Sequence, residues 1–328
     1  MKFAIVGGAI VAAFLAYLLL RRAPQPTPPK VAREEACFHP PEERLAPSPP
    51  EIAKARAEFR ARLPEISRAE GKVERLNALQ ERLTVQLRQG TITARDILEQ
   101  LQRETDMAVL DVLIGSLQSY PPSGNLPEVL DYFLRTSREE ASRDRRLLAL
   151  AFLGNAWDQT GEIRRTLTGL VRSDPNEGIR IAALVSLGEY TIRNHSTAAD
   201  LNNELLTFAT DPTPAIRAAA LGALNMMEAG GAVVQGVIAC IADPALEVRV
   251  AAYERLGGGR PEFAPMVMTR LEEAFWRETD GVAMGQAVAA LVRVGQSEAL
   301  PVLRRLAQRN SPVREEIWAA VHTLEGAR

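Results

Sequence analysis

The sequence predicts an all-α chain: an α-solenoid of about seven helix pairs, preceded by a transmembrane helix and a Pro-rich linker. Three observations carry this. A short pattern recurs as "SDPNEGIRIAALVSLG" at 173–188, "TDPTPAIRAAALGAL" at 210–224 and "ADPALEVRVAAYERLG" at 242–257. Amphipathic segments alternate at short intervals from Thr93 onward, broken by Pro, Gly, Ser and Asp. Sustained alternation of β-branched residues, the mark of strands, is absent.

The N-terminal elements come first. Phe3 to Leu20 is an uncharged apolar run that reaches roughly 27 Å as a helix, against a bilayer core of about 30 Å. It ends directly in Arg21 and Arg22, with no small-residue cleavage site in a polar setting, so residues 1–22 are expected to be an uncleaved signal anchor. Lys2 against Arg21, Arg22, Lys30 and Arg33 argues for a cytoplasmic body. The short Lys-bearing head and long spacer favour a periplasmic or extracytoplasmic one, which is the expectation adopted. Ala4, Gly8, Ala12 and Ala16 share one helix face, a spacing that permits a homodimer through the anchor.

Residues 23–50 hold nine prolines, from Pro24 to Pro50, and favour extended polyproline conformations. Cys37 and His39 lie here without a second pair of ligands, so no metal site is expected, and none of the sequence calls for a cofactor. Residues 51–92 form a helical entry or cap segment, in which Ile66, Ala69, Val73, Leu76, Leu83 and Leu87 follow heptad-like spacing with Gln80 at one seam position.

Residues 93–328 hold the array. Helices are expected at 93–104 and 106–119, 126–135 and 140–154, 162–172 and 175–193, 197–209 and 213–229. They continue at 231–241 and 244–256, 262–277 and 281–294, and 297–309 and 312–325. Asp174, Asp211 and Asp243 fit N-caps of the second helices, with Pro175, Pro212 and Pro244 at the first helical position. Ser311-Pro312 repeats the device. Arg180, Arg217 and Arg249 follow, and Arg146 holds the matching place after Glu140. Gln286 and Ile317 take the arginine place in the last two units. Gly188 and Gly257 suit C-terminal caps.

This pattern resembles the HEAT repeat, in particular the short units named after phycobilisome-lyase proteins, which read like D-P-x-x-x-V-R-x-A-A-x-x-x-L-G. The resemblance is strong over 173–257, extends from 140 to 325, and rests on helix pairing alone before 140. It implies a superhelix with the second helices on its inner face. It also implies that Asp174, Asp211, Asp243, Arg146, Arg180, Arg217 and Arg249 form a structural ladder between neighbouring repeats. A recurring residue set of this kind is architecture rather than an active site. For Arg217 the expected acceptors are neighbouring carboxylate or carbonyl groups near Asp211 or Asp174.

No Gly-rich phosphate loop, HExxH, GxSxG or paired Cys-x-x-Cys is present. Cys240 lies in an apolar helix, and His195 and His322 have no sequence-local partner for base chemistry. The leading expectation is therefore a membrane-tethered, non-enzymatic scaffold or adaptor that binds partner proteins through its solenoid. Some relatives in the resembled family attach bilins to proteins, so a bilin-lyase-like enzyme is the first alternative. Nucleic-acid binding is the second. A net charge of −2 and a pI near 6.1 set it aside, so no nucleic acid is expected as a partner.

The anchor reading fixes one outcome. The full chain should stay with membranes through high-salt washing, because an apolar anchor is not released by screening charge. Protease added to spheroplasts should digest the body if it lies outside the cytoplasm; protection until lysis would reverse the orientation and leave the anchor.

Overall fold

A computed structural model describes residues 72–120, 126–194 and 198–326, with single positions 50, 54 and 57. The expected anchor, including Ala4, Gly8, Ala12 and Ala16, the linker with Cys37, and His195 lie outside the described residues. Among the described residues no helix is long and apolar enough to cross a membrane. Helices account for the regular structure of these residues, and no strand occurs among them.

The chain divides into two compact units, Met1–Arg103 and Glu104–Arg328. In the first, α1 (Lys72–Gln89) buries Leu76, Leu79, Leu83 and Leu87. Gly90 ends it at φ 70°, a left-handed conformation that suits glycine, while the Thr91 N–H returns to Gln86 O at 3.1 Å. Thr93 and Asp96 then start α2 (Ala94–Arg103) as a reciprocal cap, with Asp96 accepting from the Thr93 N–H and hydroxyl at 2.9 and 2.8 Å.

The second unit is a repeat of helix pairs. It begins with α3 (Met107–Ser119) and continues as pairs. These are α4 (Pro127–Glu139) with α5 (Arg143–Gly154), α6 (Glu162–Ser173) with α7 (Glu177–Arg193), and α8 (Ala198–Phe208) with α9 (Pro214–Ala223). Then come α10 (Gly231–Cys240) with α11 (Leu246–Leu256), α12 (Ala264–Arg277) with α13 (Gly281–Gly295), and α14 (Leu300–Leu306) with α15 (Arg314–Gly326). The second helices α5, α7, α9, α11 and α13 pack on one another in sequence along their lengths, whereas successive first helices touch lightly. The core runs between the two layers and is built from Ile179, Ala183, Leu187, Ile216, Leu221, Val248 and Leu256, all buried.

Several boundaries differ from the sequence reading, each for a physical reason. Asp174, Asp211 and Asp243 are not N-caps. Each closes a turn by accepting from the N–H two residues on, at Asn176, Thr213 and Ala245, and those residues are the N-caps. Pro175, Pro212 and Pro244 therefore occupy the turn, where a fixed φ suits the position after the acid, and the helix starts later. The expected helix 213–229 stops at Ala223. Buried Asn202 clamps the next backbone, donating to Asn225 O at 2.8 Å and accepting from the Asn225 N–H at 2.9 Å. Asn225 in turn caps a 3-10 turn at Met226–Glu228.

Gly188 is not a C-cap, because α7 runs on to Arg193. Its role is close approach: a Cβ there would lie 3.0 Å from Cα of Ala223 on α9. Gly154 ends α5 with the same constraint, 2.8 Å from Ser186 O of α7. Gly257 does end α11, but with φ −65° rather than a left-handed turn.

These contacts generate opposed expectations for one substitution type. Gly154→Ala should cost about 1–3 kcal/mol, since a rigid main-chain carbonyl must move. Gly169→Ala, within α6 with nothing within 4 Å of the added carbon, should stabilise by about 0.5–1 kcal/mol. Thermal melts of the two variants check both signs.

Candidate functional site

The turns that precede the second helices share one construction. Glu104, Glu140, Asp174, Asp211, Asp243 and Glu278 each accept the backbone N–H two residues later, at 2.8–3.1 Å. Four of these carboxylates also receive an arginine from the repeat before. Arg146 binds Asp174, Arg180 binds Asp211, Arg217 binds Asp243 and Arg249 binds Glu278, across separations of 28, 31, 26 and 29 residues. The seven expected ladder residues are thus brought together, with Glu278 completing the last rung.

Each arginine also holds backbone of its own repeat. Arg146 and Arg180 donate through Nε to Ser137 O and Val171 O, both at 2.8 Å, near the end of the preceding first helix. Arg217 and Arg249 instead grip the next carboxylate with two nitrogens. Arg217 does so at 2.9 and 2.8 Å to Asp243, and Arg249 at 2.9 and 3.2 Å to Glu278. Their Nη1 atoms donate to Asp211 O at 2.9 Å and Asp243 O at 3.0 Å. Arg217 therefore meets Asp211 only through its main-chain carbonyl and does not touch the expected Asp174. The carboxylate of Asp211 is taken by Arg180.

The environment strengthens these bonds. Side-chain exposure is 12% and 13% for Arg217 and Asp243, and 17% and 5% for Arg249 and Glu278, so water competes weakly. The Arg217 guanidinium holds the Asp243 carboxyl below its ordinary range. Burial pushes the Glu278 carboxyl up, but the Arg249 bond and the N–H groups of Asp280 and Thr279 outweigh it and leave it lowered. Tyr253, buried beside Glu278, is pushed up to about 12, by burial first and the carboxylate second.

The ladder is bounded by apolar residues. The position four beyond each N-cap carries Arg146, Arg180, Arg217 and Arg249, but Leu110 in α3, Met284 in α13 and Ile317 in α15. Met284 corrects the sequence alignment, which set Gln286 there: the turn acid of that repeat is Glu278, and its N-cap is Asp280. Leu110, Met284 and Ile317 are 2%, 2% and 0% exposed. Ser311 fills the last turn in place of an acid, and its buried hydroxyl has no hydrogen-bond partner.

The sequence reading missed a second set of tethers. Glu204 on α8 is bound by Arg164 at 3.0 Å and Arg172 at 2.9 Å, both from α6, and Arg305 on α14 binds Glu272 on α12 at 2.7 Å. These link first helices without a constant spacing, so no repeat signal announces them. Asp158 and Asn194 likewise fix the turn after α5, where Asp158 accepts from Tyr190 Oη at 3.1 Å and donates its N–H to Asn194 Oδ1 at 3.2 Å.

Away from the ladder, the second helices leave one face partly exposed. Leu147 and Leu148, Val185, Ala218, Val250 and Ala289 stand on it, with Asp144, Glu247 and Glu254 exposed alongside. Among the described residues no group of His, Cys, Asp and Glu side chains is arranged to hold a metal ion. Cys240 is half-buried, and its thiol is pushed up by burial and by Asp243, which opposes the reactive thiolate. His322 is exposed on α15, stacked on Trp318 with ring centroids 6.1 Å apart.

Replacing Arg217 by alanine should cost about 1.5–3 kcal/mol, the loss of a charge-assisted bond that leaves a shielded carboxylate unpaired. Adding Asp243→Ala should cost less than the two singles together. Lost binding or activity with unchanged melting temperature in Arg217→Ala would make the ladder a site instead. Because the folded-state Asp243 and Glu278 are lowered from 3.8 and 4.5, their stabilisation is complete above those values. It is lost as pH falls through the lowered ones. Acid melts should show this loss, reduced in Asp243→Asn.

No protein-family model matches the chain, and no curated protein matches it. Among solved structures, one chain from the Pds5–Scc1 complex aligns with 74% of this chain at 11% identity and a TM-score of 0.45; this chain spans 42% of that one. YibA of Escherichia coli aligns with 79% of this chain and 98% of its own, at 13% identity and a TM-score of 0.38.

Proposed function

We propose that this protein is a non-enzymatic scaffold, held at a membrane by its N-terminal segment, that binds a partner protein on the exposed face of its second helices. One observation carries the reading. Ion-paired rungs buried between repeats set the register of successive second helices, and the face they leave outward is apolar with carboxylates beside it. Such a face suits contact with another protein, because aliphatic side chains present area without requiring polar partners. The recurring acids and arginines are instead consumed in holding backbone and one another. The half-buried Cys240 thiol further supports binding over bilin attachment.

Crosslinking in native membranes, followed by purification and mass spectrometry, tests this reading. A protein partner should be recovered with the native chain and lost with Ala218→Arg or Val250→Arg, while the melting temperature of each variant stays close to that of the native chain. Recovery unchanged in both variants would remove the face from the function.

A further inference from the structure

The α13–α15 interface is built differently from those before it. Earlier second helices pack along their lengths, while α13 and α15 meet at few points. Met284 and Ile317 fill the arginine positions, and Ser311 replaces the turn acid, so no rung draws these two helices together. What opens is a groove of about 870 Å³, lined by Val282, Gly285, Ala289 and Val292 of α13, by Ala320 of α15 and by Val313 just before it. Val282 is 62% exposed, the highest value for a large apolar side chain among the described residues.

The groove carries opposite charges toward its two ends. Glu316 of α15 lies across from Gly285, its Oε2 3.9 Å from where a Cβ would stand. Arg293 lines the far end and makes one long hydrogen bond, 3.4 Å to Glu254 O, with no carboxylate partner among the described residues. Arg293 also lines a second cavity of about 390 Å³, formed with Met226, Met227 and Phe263. An apolar trough therefore ends at a guanidinium still open to an anion.

We propose that this groove takes one amphipathic helix of a partner protein, seated with a carboxylate at Arg293 and a basic side chain toward Glu316. The inference rests on the scaffold reading and names the chemistry of its partner. A helix fits where an extended segment does not: the walls are helices with their own hydrogen bonds made, offering no backbone edge for strand pairing. From Val282 to Val292 α13 rises roughly 15 Å, so about three turns of the partner would lie in the trough. The charge pair sets direction, because a reversed helix would place like charges together.

Site-specific photo-crosslinking in cells producing the full chain tests this. The probe is p-benzoylphenylalanine, placed at Val282 in one variant and at Ala218 in another. The Val282 probe should give an adduct with another protein. The crosslinked segment should carry apolar residues at three- and four-residue spacing, with an acid and a base on the same face. A synthetic peptide of that segment should bind the full chain. Arg293→Glu should weaken both adduct and peptide binding about tenfold or more, and Arg293→Lys should largely retain them. Adducts with a second copy, with another part of this chain or with lipid would overturn the proposal. So would an adduct indifferent to Arg293→Glu. Adducts at Ala218 with none at Val282 would also overturn it while leaving the scaffold reading in place; no adduct at either position would remove both.

Discussion

In four consecutive turns before a second helix, at Asp174, Asp211, Asp243 and Glu278, the carboxylate is used twice, and the middle repeats depend on that double use. One oxygen of Asp243 closes the turn on the Ala245 N–H, while both oxygens lie within reach of Arg217 from the repeat before. The same arginine holds the carbonyl of Asp211, so a single guanidinium joins two turns. A buried carboxylate is tolerable only when its oxygens are paired, and a guanidinium with several fixed donors can pair them while also holding backbone. Apolar packing supplies most of the cohesion between layers. The ladder adds directional bonds that tie consecutive turns in one register.

Much of this was legible in the sequence. The helix pairs, the recurrence of acid, proline and arginine, and the seven ladder positions all follow from a repeated pattern, because each repeat must solve the same packing problem. Positions within the turn were less legible. A proline beside an aspartate looks like a helix start, yet here the acid works two residues earlier than an N-cap, because it must also face the preceding arginine. Glu278 lacks the following proline and could be found only by its spacing from Arg249. Met284 was misplaced for the same reason: without the turn acid as reference, the register of α13 slips by two residues.

Other determinants leave no periodic trace. Asn202, Asn194 and Asp158 each satisfy backbone in one loop only, so their importance lies in burial and geometry that a single sequence does not display. Glycines were legible as breaks in pattern but not in cause. At Gly154 and Gly188 the reason is the approach of the next helix, a property of tertiary packing rather than of local conformation. The groove between α13 and α15 follows from an absence, arginine replaced by methionine and isoleucine, whose effect emerges only once neighbouring helices are placed.

Arg309 shows what the end of the ladder means mechanically. It donates to the carbonyls of Phe275 and Glu278 and lies 5.6 Å over the Phe275 ring, gripping the close of α12 from the repeat that follows. Tension applied along the array is thus carried in the middle repeats by shielded charge pairs between consecutive turns, and past Glu278 by Arg309 on neutral carbonyls and the more exposed Arg305–Glu272 pair. A pull on the C-terminal helix pair would peel that pair away first, leaving the ladder-bound repeats as a stiff lever behind a yielding tip.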